Sequence, residues 1–109
     1  MKTFLKALAG ALILSFRLSA SPVINEVMYT PADPGNEWFE LLNTGETIDL
    51  SGWKWKDATS ALRTISSQPV ALQRDSFIVI CQDSLKCRAQ YPESGCRLIQ
   101  TAWSALNNT

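Results

Sequence analysis

The hydrophobic pattern of this chain falls into two parts. Ala7 to Phe16 is one long apolar run, whereas from Ile24 onward apolar residues come in short groups separated by turn-formers. Ile24 to Tyr29, Glu37 to Leu42 and Ile48 to Trp55 carry the β-branched and aromatic residues of strands. Between them lie the loops Pro31-Ala32-Asp33-Pro34-Gly35 and Asn43-Thr44-Gly45-Glu46, rich in residues that supply special backbone dihedrals. Ala61 to Ser66 predicts a fourth strand, broken by Gln68-Pro69. Phe77 to Cys81 is continuous and apolar, the mark of a central strand. Asp83 or Ser84 suits the N-cap of a short helix reaching Tyr91 and ended by Pro92 and Gly95. Cys96 to Ala102 predicts one more strand. Short strands at close spacing with turns between them predict an all-β sandwich or barrel with one short helix.

The early apolar run changes the picture at the N-terminus. Lys2 and Lys6 precede it and Ser19-Ala20 offers small residues for cleavage, so residues 1–20 read as a secretory signal peptide. The run is shorter than the roughly 20 residues that a spanning helix needs. Leu18 stands where a small residue is preferred, which leaves an uncleaved anchor as the alternative. The expected destination is the periplasm, the cell surface or the exterior. Residues 21–109 then make one small domain of limited burial. Seven basic and ten acidic side chains follow Ala20, a net charge of −3. That balance lacks the basic stripe of a nucleic-acid-binding domain.

The candidate chemistry is sparse. The chain has no histidine, so no Ser-His-Asp or Cys-His arrangement can be assembled, and no phosphate-cradling glycine motif occurs. The sequence points to a non-catalytic protein with no cofactor. Three cysteines, Cys81, Cys87 and Cys96, suit an oxidising compartment. Cys87–Cys96 is the favoured disulfide because the two flank a turn-like segment, with Cys81 a small core residue; spacing alone leaves the connectivity open. Glu26, Glu37 and Glu40 are the main carboxylate grouping. Asp33, Asn36 and Glu37 offer hard oxygens for calcium, weighed against plain turn formation.

Four tryptophans carry the remaining signal. Trp53 and Trp55 alternate with Lys54 and Lys56, which places both indoles on one side of a strand, expected to be core together with Phe39, Leu41 and Val79. Trp38 shares the opposite face from Phe39 and Leu41, beside Glu40, and is the candidate ligand contact. Trp103 falls near the chain end, where covering strands would be missing.

Asn25-Glu26, then Glu37-Trp38-Phe39-Glu40-Leu41, then Leu50-Ser51-Gly52-Trp53, in that order, resemble the lamin-tail domain family in its bacterial secreted form. The likeness extends more loosely through Phe77–Ile80 to the Leu106-Asn107-Asn108 ending. It implies an immunoglobulin-like β-sandwich whose Ser-Gly-Trp element is structural and whose Asn25, Glu26 and Glu40 bond the sheet ends. In the family the Leu-Asn-Asn segment leads into Gly-Asp and a last pair of strands, so the resemblance implies a domain truncated at its C-terminus. A fragment of a longer protein, or completion by a partner, would account for that. Bacterial relatives are often joined to secreted nucleases, phosphatases or other hydrolases. The implied role is a protein-interaction or surface-attachment module; the alternatives are a carbohydrate- or cell-wall-binding module and the N-terminal accessory piece of a secreted hydrolase.

Overall fold

Strand β2 (Trp38–Asn43) organises the domain from the middle of its sheet, its residues alternating between a half-buried and a fully buried face. The computed structural model describes residues 22–57 and 61–106. The predicted signal segment 1–20 and the Asn107-Asn108 ending lie outside the described residues. β1 (Pro22–Met28) runs antiparallel to β2 on one side, and β7 (Phe77–Cys81) antiparallel on the other. β8 (Leu98–Gln100) completes the sheet in the order β1-β2-β7-β8 and runs parallel to β7. A parallel neighbour demands a crossover, and the helix α1 (Ser84–Gln90) supplies it. Asp83 caps that helix as expected, its Oδ1 accepting from the Lys86 amide at 3.0 Å.

Two small sheets pack their apolar side chains with those of the large one. β3 (Ile48–Asp49) pairs with β6 (Ala71–Leu72), and β4 (Lys54–Trp55) with β5 (Arg63–Thr64). The core joins Phe39, Leu41, Ile78 and Ile80 of the large sheet to Leu50, Ile65 and Leu72 of the rest. The domain is therefore all-β with one short helix. The third predicted strand is split in two by a turn at Ser51-Gly52-Trp53, where Gly52 takes φ +79°. The Trp53 amide donates to the Leu50 carbonyl at 3.0 Å and its carbonyl accepts from Ile65 at 2.8 Å. β6 is an element that the sequence pattern does not predict, being two residues long and starting two positions after Pro69.

The turn corrects one expectation. Trp53 is 41% exposed and lies outside the core, because it belongs to the turn and not to the alternating strand. Trp55 does pack against the core, with its ring 5.2 Å from Phe39 and 4.6 Å from Trp103. Phe39, Leu41 and Val79 are buried as expected. Trp103 is not left uncovered either: it is half-buried against the same cluster.

Buried polar groups fix both ends of β2. Asn43 has no exposed surface, and its side chain is saturated. Nδ2 donates to the Glu46 and Leu72 carbonyls, both at 2.8 Å, and Oδ1 accepts from the Gly45 amide at 2.9 Å. At the other end Glu37 is 9% exposed, and its Oε1 accepts from Trp103 Nε1 at 2.8 Å and the Leu106 amide at 2.9 Å. Segment 101–106 is thereby strapped across the core, with further bonds from Trp55 Nε1 to Thr101 and from the Arg63 guanidinium to Ser104.

Trp55→Ala removes a core-packed indole and is expected to cost roughly 3 kcal/mol, whereas Trp53→Ala should cost less than about 1 kcal/mol. Urea-unfolding midpoints of the two variants check the contrast. Acid stability has its own marker in Asp49. Its carboxylate accepts from the Ser51 and Val70 amides and the Ser51 hydroxyl, which holds its pKa below the ordinary 3.8. A carboxyl lowered on folding stabilises above its unfolded pKa, and that contribution fades as pH falls through the folded value. Between about pH 5 and about pH 2, the wild-type melting temperature should therefore fall more than that of Asp49→Asn.

Candidate ligand groove

The face of the large sheet turned away from the main core is only partly covered. Helix α1 and the segment 94–97 sit over its β7–β8 side, packing Cys87, Tyr91 and Cys96 with Val79, Cys81, Leu98 and Trp38. Between that cover and strand β1 runs a groove of about 970 Å³. Its floor is Trp38, Glu40 and Val79, its helix wall Cys87 and Tyr91, and its outer rim Glu26 and Met28. Sequence reasoning placed Trp38 here beside Glu40; the helix wall required the fold.

Trp38 meets Tyr91 edge-on, with ring centroids 5.9 Å apart at 90°. Its indole N–H is buried and has no hydrogen-bond partner among the described residues. Buried donors are normally paired, which makes this one an exception to be explained. A bulge in β1 sets what faces the groove beside it. The register runs Ile24 opposite Leu41, then Glu26 opposite Glu40, so Asn25 is the extra residue. Past it, Glu26 and Met28 join Glu40 and Trp38 on the groove face, while Ile24 and Val27 fall on the core side with Leu41 and Phe39. Asn25 Nδ2 donates to Glu40 Oε1 at 2.9 Å, a side-chain bond across the two strands.

The three carboxylates therefore separate: Glu26 and Glu40 face the groove, and Glu37 lies in the interior, engaged with Trp103. The calcium alternative fares poorly for a similar reason. Asp33 faces Lys86 at 3.4 Å, Asn36 donates through Nδ2 to Gln90 Oε1 at 2.7 Å, and Glu37 is turned to the C-terminal strap. The loop already holds a cation in the form of the Lys86 ammonium, which also donates to the Pro34 carbonyl at 2.9 Å. Gly35 permits that approach: its φ is +91°, and a Cβ there would stand 3.1 Å from Lys86 Nζ. Among the described residues, no three His, Cys, Asp or Glu side chains are grouped for a metal.

All three cysteines are thiols in this structure, gathered on the groove side of the sheet, so the favoured Cys87–Cys96 disulfide is not formed here. Cys81 is fully buried and donates to the Ile99 carbonyl at 3.5 Å, and burial pushes its pKa up to about 12. Burial also raises the Cys87 thiol. Cys96 is half-buried, with its sulfur 3.2 Å from the Ser94 hydroxyl. Burial thus holds the Cys81 and Cys87 thiols back from the thiolate, the reactive form.

No protein-family model, curated protein or solved structure matches this chain. No helix among the described residues is long and apolar enough to cross a membrane.

Cys81 should resist iodoacetamide in the folded protein at mildly alkaline pH and react fully in urea. Peptide mass mapping of native and unfolded samples checks this. Labelling of native Cys81 as fast as that of Cys96 would contradict the packing of this layer.

Proposed function

We propose that this chain is an exported, non-catalytic interaction module of the lamin-tail type, an immunoglobulin-like β-sandwich that serves as one piece of a larger secreted protein. The motif order from Asn25 to Trp53 supports the family, and the apolar run after Lys6 supports export. The observation that carries the interaction reading is the groove over Trp38: a half-buried aromatic floor beside carboxylates, open to solvent and backed by a rigid sheet. Concave sites that combine apolar surface with a few polar groups are the usual places for ligands. The partner is a protein or a cell-surface component.

Strand β1 gives secondary support. It is an edge strand, and its core-side residues Ile24 and Val27 are 62% and 47% exposed. A sandwich completed by further strands, from the same protein or from a partner, would cover them. The carbohydrate alternative keeps Trp38 and the exposed Trp53 but loses Trp55, which is turned into the core.

An array carrying both peptides and oligosaccharides tests the proposal, probed with the wild type and with Trp38→Ala. Peptide binding that falls at least tenfold in the variant is expected. Glycan binding with the same dependence would replace the protein reading by the carbohydrate one. Binding that ignores Trp38 would remove the groove from the account.

A further inference from the structure

The groove carries charge of one sign on one side. Glu26 and Glu40 are direct cross-strand neighbours on its β1–β2 flank. Like charges placed opposite each other on antiparallel strands destabilise the pair. Neither is neutralised from within: the ion pair Lys86–Asp33 lies on the loop beside the helix, away from both. The Glu26 carboxylate has no hydrogen-bond or ion-pair partner among the described residues. Glu40 accepts one bond, from the uncharged amide of Asn25. The lining's cation, Arg97, stands on the opposite flank, where its Nη1 donates to the Ala71 carbonyl at 2.8 Å.

Beside this carboxylate pair the lining is apolar and aromatic: Met28, Trp38, Tyr91 and Val79. A long aliphatic stem ending in a positive charge matches both parts. Lysine and arginine bury their methylenes along apolar surface while keeping the charged head among polar groups. Their cationic heads are drawn to indole and phenol faces and, with hydrogen bonds, to carboxylates.

We propose that the groove binds a basic peptide segment of a partner protein. A lysine or arginine stem lies along Trp38 and Met28, and its charged end sits between Glu26 and Glu40. This inference rests on the groove being the docking surface. The bound cation relieves the repulsion between the two carboxylates. The net charge of −3 after Ala20 favours the approach of such a segment.

The test is a titration of the full chain with hexa-lysine and hexa-arginine, followed by tryptophan fluorescence and by the NMR signals of the indole N–H groups. An uncharged Ser/Leu hexapeptide and a hexa-glutamate serve as comparisons. The expected result is binding of both basic peptides that shifts the Trp38 indole signal and weakens with added salt. Affinity should fall about tenfold or more in the double variant Glu26→Gln, Glu40→Gln, which keeps the shape and removes the charges. Trp38→Phe identifies the indole signal, and circular dichroism confirms that each variant is folded.

Equal affinity of the double variant for the basic peptides overturns the proposal. So does salt-insensitive binding by the wild type, a criterion that stands should the variant fail to fold. Trp38-dependent binding of the uncharged peptide alone overturns it while leaving the groove as a docking surface. A Trp38 signal unmoved by every peptide removes both.

Discussion

The structure depends on how the two ends of β2 are held. That strand carries the core on one face and the groove floor on the other, so any slip in its register would disturb both at once. Buried polar residues at each end prevent the slip. Asn43 satisfies the loop to β3 and the β6 carbonyl at Leu72 with one amide group. Glu37 gathers the indole of Trp103 and the amide of Leu106, far along the chain, onto one oxygen. Buried polar groups are costly unless paired, and each fits only one arrangement of its partners. A small domain with a modest core gains a defined fold from that requirement.

The two sides of the sheet then diverge in character. The core side is closed by the small sheets and by segment 101–106, whose Trp103 completes an aromatic cluster with Phe39 and Trp55. On the other side a helix of two turns covers β7 and β8 and leaves the β1–β2 half open. The PADPG loop and the Asn36 after it are tied to that helix by Lys86 and Gln90, which supports the wall of the groove from outside. The sheet is therefore closed on one side and half-covered on the other, and the groove lies over the open half.

Much of the frame was legible in the sequence. The alternation in Trp38–Asn43, the apolar run Phe77–Cys81 and the Asp83 cap each signal their element through local chemistry, and all appear as expected. What escaped depends on longer-range or subtler effects. The bulge at Asn25 adds one residue to β1, so Ile24 and Val27, three apart, face the core side while Glu26 moves to the groove. No composition signal announces that shift. Trp53 misleads because Lys54-Trp55 continues its alternation, while Gly52 at φ +79° has already turned the chain. Strand β6 is two residues long and owes its existence to Asn43 and Ile48, not to its own sequence. The groove was foreshadowed only by Trp38 beside Glu40; Tyr91 and Cys87 reach it through the crossover between parallel strands.

Native-state hydrogen exchange of the backbone amides tests most directly whether β2 is the fixed centre. The account predicts that amides of Phe39–Leu42 and Ile78–Ile80 exchange last, at the free energy of global unfolding. The outward amides of edge strand β1 should exchange early. Protection in β2 no greater than in β1 would contradict it: the sheet would then have no clamped strand, and the groove no rigid floor.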